Sequence, residues 1–238
     1  MGDSNSKIFY NSLKARTSRI TINMLMDGQG NWIEDTNDIT EAFTKFYKTL
    51  LSGGEHRTQV SLEVVQLGVM LTDQHKKLLS CEFTDKETKQ AMFSIPSNKA
   101  PGLDGYNSQF FKTAWLIVGK DVIQAIRDFF NNGKLLKEVS ITTLTMVPKV
   151  QTLSTVGEYR PIACCSTIYK CISKLLCNRL SLVLLDIISQ NQGAFVSGRS
   201  IMHNVLICQD IMRFYRPIQI QDCCMFKLDV KKAYDTVS

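Results

Sequence analysis

An aspartate close to Ser238 has a sequence context that suits metal-assisted phosphate chemistry. Asp229 stands in FKLDVKKAYD and follows the alternating run CCMFKL, a pattern typical of a β-strand with one apolar face. A carboxylate at the tip of a strand is held rigidly, and Mg²⁺ takes one or two carboxylates while keeping positions for phosphate and water. The other interpretation is an aspartate that only ends a strand or caps the next turn, and this residue taken alone favours that second interpretation.

Two cations flank a predicted turn. Lys149 ends the β-rich segment ITTLTMVPK, Arg160 lies in the extended run EYRPIACC, and the polar stretch QTLSTVG between them predicts a hairpin. On such a ribbon a lysine offers a point charge and an arginine a planar fork, a combination that can grip a triphosphate. Solvated surface charges are the alternative interpretation, and the pair taken alone favours it.

A glycine- and proline-rich loop, NKAPGLDG at residues 98–105, is the third candidate. Its glycines permit close backbone approach, and Lys99 could meet a phosphate. The spacing is not that of a phosphate-binding P-loop, so a structural turn is the favoured interpretation.

The elements that would position these residues follow from hydrophobic periodicity, and together they predict an α+β fold that is rich in helix. Extended runs on either side of DGQGN predict a first hairpin. Apolar residues at helical spacing predict an amphipathic helix in TNDITEAFTKFYKTLL, capped by Thr36 or Asn37. Further helices are predicted at 7–19, Thr72–Leu79, Thr84–Phe93 (with a Thr84/Glu87 capping box), in one long segment through Phe111 and Phe129 that ends at Asn131-Asn132-Gly133, from Ser166 onward, and at 201–214, with a surface connection at 52–71.

Composition narrows the class of protein. A net charge of +6 suits a polyanionic partner without requiring one. The eight cysteines form no C-x-x-C pair, which favours reduced, buried thiols over a metal or disulfide framework. Because the sequence shows neither a signal peptide nor a transmembrane stretch, we expect an intracellular protein, nuclear or cytoplasmic, with no membrane partner.

The order and spacing of five motifs carry a resemblance that covers essentially the whole chain. NKAPGLDGYNSQFFKTAW, LTMVPK, EYRPIACCSTIYKCISKLLCNRL, QNQGAFVSGRSIMHNVL and FKLDVKKAYD, in this order, resemble the front of reverse transcriptases from LINE-type (non-LTR) retrotransposons, those of plants most closely. The resemblance implies the fingers and the beginning of the palm of a right-hand polymerase.

The resemblance also implies roles for particular residues. Asp229 would be the first catalytic aspartate and would bind Mg²⁺ (or Mn²⁺), the backbone carbonyl of Val230 would help hold the second ion, and Tyr234 would exclude ribonucleotides. Lys149 and Arg160 would contact the triphosphate of the incoming dNTP. Template or fingers contacts are expected in the loop with Gln192, Gly193, Phe195 and Arg199.

The implied partners are an RNA template, a DNA primer and dNTP, while the oligomeric state stays open. Three parts are expected: a linker region at 1–52, a helical connection at 53–97, and reverse transcriptase fingers with the beginning of the palm at 98–238. Since the Tyr-x-Asp-Asp motif of the family is not among these residues, we expect a truncated domain that is inactive alone. The alternative is a non-catalytic nucleic-acid-binding remnant of a retroelement that uses the basic helix 7–19 and a Lys170/Lys174/Arg179 face for phosphate contacts.

Overall fold

A computed structural model describes residues 21–52, 61–150, 154–189, 192, 196 and 198–214, together with positions 7, 10, 11 and 14. Those four N-terminal positions are helical, and the remainder of the predicted 7–19 helix lies outside the described residues. So do the predicted final strand and residue 53, where the second expected part begins. Contacts divide the described part of the chain into two compact units, one from 21–52 and 143–164, the other from 61–142 and 165–214. These units cut across the three parts expected from the sequence, and those parts stay a prediction.

The first unit consists of two hairpins and a helix. Strands β1 (Leu25–Met26) and β2 (Trp32–Ile33) pair across the predicted DGQGN turn, in which the Asp27 carboxylate accepts hydrogen bonds from the backbone N–H groups of Gln29 (2.8 Å) and Asn31 (2.9 Å). Helix α1 spans Thr36–Ser52. Its cap was wrongly predicted as Thr36 or Asn37, because the carboxylate of Asp35 accepts from the N–H groups of Asn37 (2.8 Å) and Asp38 (3.4 Å).

The second hairpin of this unit confirms the prediction for residues 141–165. Strand β3 (Thr143–Pro148) pairs antiparallel with β4 (Tyr159–Cys164), with Val147 opposite Arg160 and Pro148 opposite Tyr159. A short 3₁₀ helix at Val156–Glu158 precedes β4. One face of the hairpin packs on α1, where the core consists of Leu25, Ile39, Phe43, Tyr47, Val156 and Tyr159.

The second unit is helical. Its elements are α2 (Leu62–Gln66), α3 (Asp73–Ser80), α4 (Asp85–Ser94), α5 (Ser108–Thr113), α6 (Trp115–Asn132), α7 (Lys137–Ser140), α8 (Thr167–Ile187) and α9 (Ile201–Phe214). The predicted Thr84/Glu87 capping box is present at the start of α4, and α6 ends at Gly133 in the left-handed conformation, φ 64°.

Two predictions for this unit need correction, and one of its helices was not predicted. The predicted long helix is two helices, because the helical conformation is interrupted at Ala114 between α5 and α6. Part of the connection at 52–71 is helical in α2, and α7 was not predicted. All three concern short elements, for which hydrophobic periodicity is a weak signal.

The core of the second unit lies where α4, α6 and α8 meet. It consists of Ala91, Met92, Ile95, Phe111, Val122, Ile126, Cys171, Ile172 and Leu175. Full burial of side chains such as Met92 and Leu175 contributes roughly 1.5–3 kcal/mol each. Among the described residues no helix is long and apolar enough to cross a membrane.

Candidate functional site

The exposed face of the β3–β4 hairpin carries both cations predicted to bind a nucleotide. Residues opposite one another in an antiparallel pair share a face, as do alternate residues along a strand. Arg160 is opposite Val147, and Lys149 is two residues beyond Val147. The pairing continues as far as Lys149, whose backbone N–H donates to the carbonyl of Glu158 at 2.9 Å. Lys149 and Arg160 therefore lie on the same face of the hairpin.

Burial distinguishes this face from its opposite. Lys149 and Arg160 are both exposed, with Val147 and Ile162 half-exposed on the same face. The other face includes Tyr159, which is 4% exposed and packs edge-on against Phe43 with ring centroids 5.2 Å apart. Because Tyr159 anchors the inner face on α1, the outer face is presented to solvent by a fixed scaffold.

The turn of the hairpin is held by its own hydrogen bonds. The Glu158 carboxylate accepts from the backbone N–H groups of Ser154 (2.7 Å) and Thr155 (2.9 Å). These bonds, that from Ser154 first, hold the pKa of Glu158 below its ordinary value. Lys149 donates one side-chain hydrogen bond to the carbonyl of Gly157 at 2.8 Å. An ammonium has three donors, so Lys149 can be held at the turn and still contact an anion.

Arg160 differs from Lys149 in its surroundings. Within the described ranges its guanidinium has no hydrogen-bonded or ionic partner. A guanidinium offers a planar, bidentate contact to phosphate oxygens. The arrangement can therefore bind a polyphosphate through Lys149, which is held at the turn, and Arg160, which has no partner among the described residues.

The remaining predicted site residues cannot be placed beside this pair. Asp229, Val230 and Tyr234 lie outside the described residues, as do Gly193 and Phe195 of the preceding loop. Within the part of the chain that is described, no three His, Cys, Asp or Glu side chains gather as metal ligands. The predicted magnesium site thus stays a prediction.

The face assigned to Lys170, Lys174 and Arg179 was wrongly predicted, because Arg179 is only 5% exposed. Its guanidinium donates to the carbonyls of Cys81 and of Glu82 (2.8 Å), pairs with the Glu87 carboxylate (3.3 Å), and lies 3.6 Å from the centre of the Phe83 ring. Arg179 therefore joins α8 to the α3–α4 link and is not available to a phosphate. Lys174 is exposed, whereas Lys170 is half-buried and donates to the carbonyl of Ala100 at 2.6 Å.

Arg199 has a structural role that the sequence did not reveal. Its guanidinium donates to four carbonyls at and beyond the C-terminal end of α8, those of Leu185 (3.3 Å), Ile188 (3.0 Å), Ser189 (2.6 Å) and Gln192 (3.0 Å). The last carbonyls of a helix have no partner within it and carry partial negative charge. Arg199 satisfies one of them, the Leu185 carbonyl, together with three carbonyls beyond the helix, and so fixes the start of the following loop.

The NKAPGLDG loop also proves to be tightly packed. A Cβ on Gly102 would lie 2.7 Å from the backbone N and Cα of Ser166, the residue that caps α8. Only glycine fits so close an approach. The structural interpretation of this loop is confirmed at Gly102, while Lys99 is exposed.

Comparison with known proteins agrees with the resemblance seen in the sequence. Residues 147–238 match the family described as reverse transcriptase (RNA-dependent DNA polymerase), a range that begins in β3 and contains Lys149, Arg160 and Asp229. The chain is 30% identical over 235 residues to a Xenopus laevis protein named "Transposon TX1 uncharacterized 149 kDa protein". The alignment covers 99% of this chain and 18% of that relative, so the chain spans about a fifth of the relative's length.

Proposed function

Because this chain carries part of a reverse transcriptase domain and is related to a transposon protein, we propose that it belongs to the RNA-directed DNA polymerase of a LINE-type retrotransposon. The reaction is the attack of a primer 3′-hydroxyl on the α-phosphate of a dNTP, directed by an RNA template, with release of pyrophosphate. The observation that carries the proposal is the shared exposed face of Lys149 and Arg160 at the start of the matched range.

The hairpin binds the triphosphate of the incoming dNTP in this proposal. Arg160 makes the planar contact and Lys149 adds a second positive charge from the turn. Both charges compensate the negative charge that builds up on the leaving pyrophosphate, which is how phosphoryl-transfer enzymes lower their barrier. Because Tyr159 and Glu158 fix the hairpin before nucleotide arrives, little ordering is needed on binding.

Three further residues enter from the resemblance alone. Asp229 and the carbonyl of Val230 are proposed to hold Mg²⁺, or Mn²⁺ in its place, and the ring of Tyr234 to exclude a ribose 2′-hydroxyl. When bound, the metal would supply Lewis-acid activation of the phosphate. We also propose that an RNA template and a DNA primer are the partners of this chain.

Nucleotide binding by the hairpin variants tests the proposal. A fluorescent dGTP analogue is titrated against the 238-residue chain and against its Lys149→Ala and Arg160→Ala variants. Each variant should bind about tenfold more weakly, since a hydrogen bond to a charged group contributes roughly 1.5–3 kcal/mol. Lys120→Ala is the matched control, because Lys120 is an exposed lysine on α6 and its loss should leave the affinity unchanged.

Two outcomes would contradict the proposal. Equal affinity of wild type and both hairpin variants would mean that the cations are ordinary surface charges. An equal loss with dGMP and dGTP would mean that they do not recognise the triphosphate. If the chain bound RNA but showed no nucleotide binding that depends on Lys149 or Arg160, the alternative of a non-catalytic nucleic-acid-binding remnant would be preferred.

A further inference from the structure

We propose that Tyr106 and Phe110 form a stacking platform for the bases of single-stranded RNA. Their rings are 4.5 Å apart at an interplanar angle of 36°, and the two residues are 50% and 41% exposed. An aromatic pair of this kind contributes most to stability when its rings are buried away from water. Here the pair remains half in water, at the end of the NKAPGLDG loop, and is therefore available to a flat ligand.

Hydrogen bonds fix the backbone beneath both rings. The N–H of Tyr106 donates to the Asp104 carboxylate at 3.2 Å, and its carbonyl accepts from the hydroxyl of Thr167 at 2.8 Å. The N–H of Phe110 donates to the side chain of Asn107, the cap of α5, at 3.1 Å. The platform is thus formed before any ligand binds, which lowers the entropic cost of binding.

The loop that leads to Tyr106 is equally restrained. Gly102 lies against the backbone of Ser166, and Lys170 donates to the carbonyl of Ala100. Both contacts join the loop to the first turn of α8. The restraint explains how a glycine-rich segment can present aromatic side chains at defined positions.

The charges around this loop favour a phosphate-bearing ligand. Lys99 is exposed on the loop, Lys112 donates to the carbonyl of Ile95 and the hydroxyl of Ser97 (3.3 Å), and Lys170 donates to Ala100. Asp104 is the acidic residue of the loop itself, and one of its oxygens already accepts from Tyr106. Residues 98–112 contain two lysines and one aspartate, and Lys170 of α8 adds a third ammonium at Ala100. These four side chains together carry a net charge of +2, which attracts a polyanion.

A single strand fits these features better than a duplex or a protein. Every base has a π-face, so aromatic rings beside lysines bind single strands with little sequence preference. A duplex hides its base faces in the stack, and an apolar protein surface would gain nothing from the lysines. The choice of RNA rests on the proposed templated reaction, because its template is single-stranded RNA.

RNA binding by ring-deleting variants tests the inference. The anisotropy of a fluorescent single-stranded 12-mer RNA is measured against the full chain and its Tyr106→Leu, Phe110→Leu and Lys99→Gln variants. Each leucine variant should bind about tenfold more weakly with an unchanged salt dependence, since stacking is not electrostatic. Lys99→Gln should reduce the slope of log K against log salt by about 0.7, the value for one phosphate contact on a single strand.

Tyr106→Phe is the matched control, because it keeps the ring and removes only the hydroxyl. It should bind RNA as the wild type does. The same RNA in duplex form should bind equally to wild type and leucine variants. Thermal unfolding of each variant establishes that the half-exposed rings were replaced without loss of the fold.

Several results would overturn the inference. One is the absence of RNA binding by the wild type, and another is equal binding by wild type and both leucine variants. A loss of self-association in the leucine variants, with RNA binding unchanged, would show that the surface pairs with protein. None of these results affects the nucleotide titration of Lys149 and Arg160, so the proposed function can stand or fail separately.

Discussion

The buried guanidinium of Arg179 should contribute far more to stability than an exposed one on the same unit. Arg179→Met keeps an unbranched apolar side chain but removes the guanidinium over Phe83, its donors to the carbonyls of Cys81 and Glu82, and the partner of Glu87. Removing one partner of a buried ion pair costs about 3–5 kcal/mol. The Glu87 side chain is 40% exposed, so water screens part of the pair, and we expect the low end, about 3 kcal/mol.

Arg127→Met is the matched control for this measurement. Arg127 pairs with Asp85 at 2.6 Å, but both side chains are exposed, at 45% and 64%. Exposed pairs contribute roughly 0–1 kcal/mol, so the control should stay within 1 kcal/mol of wild type. Both substitutions exchange an arginine for a methionine, and they differ chiefly in burial.

Urea and thermal unfolding followed by circular dichroism measure both variants. For a unit of this size about 3 kcal/mol corresponds to a fall in Tm of roughly 10 °C. A cost below about 1 kcal/mol for Arg179→Met would refute the reasoning that a buried cation joins α8 to the α3–α4 link. A fall in the salt slope of RNA binding in this variant, with stability unchanged, would restore the phosphate-binding role that the structure excludes.

Three further predictions concern residues of the second unit, with one control, Gly28, in the first. Gly102→Ala should cost about 1–3 kcal/mol in urea unfolding, because its Cβ would collide with the backbone of Ser166, whereas Gly28→Ala, where the added atom meets nothing within 4 Å, should not. Burial raises the pKa of Cys171 to about 12, so iodoacetamide at neutral pH should leave it unmodified in the native chain while exposed Cys81 reacts; early modification of Cys171 by mass spectrometry would contradict its burial. Burial would raise the pKa of Glu87, but hydrogen bonds from Thr84 and then from Arg179 lower it below its ordinary value. The stabilisation that the ionised Glu87 carboxylate provides is therefore present above pH 4.5 and is lost as the pH falls through the folded-state pKa. Glu87→Gln should therefore flatten the acid side of the stability profile, and an unchanged profile would argue against these bonds.

Long elements with strong periodicity were predictable from the sequence. Helices α1, α8 and α9, the C-terminal end of α6, the β3–β4 hairpin and the Thr84/Glu87 capping box are where the residue pattern placed them. Their signals are local, since each depends on residues a few positions apart. The same locality explains why a short helix such as α7 was missed.

The role of Arg179 could not be predicted because its partners are distant in sequence. Its hydrogen bonds reach back 92 to 98 residues, and no local spacing indicates that a cation on a helix is buried there. Asp35 was missed for a different reason, since several polar residues in a row compete to cap one helix. At the site, the hairpin pattern placed Lys149 and Arg160 on one ribbon. Their common face and the packing of Gly102 on Ser166 depend on register and on distant contacts, which no local pattern shows.

Pro148 in β3 and Pro161 in β4 make it difficult for another chain to add a strand to the β3–β4 hairpin. Lys149 and Glu158 form a hydrogen-bonded pair of the antiparallel ladder, and such pairs alternate with pairs that are not hydrogen-bonded to each other. Pro148 and Pro161 belong to the second kind, so their nitrogens point away from the partner strand, one at each outer edge of the hairpin. Neither nitrogen has a hydrogen to offer to an incoming chain, and at one rim the carbonyl of Tyr159 is already occupied by the hydroxyl of Tyr47 at 3.2 Å. A ribbon with such rims is a poor template for intermolecular β-sheet, so its cationic face can stay in water without seeding aggregates.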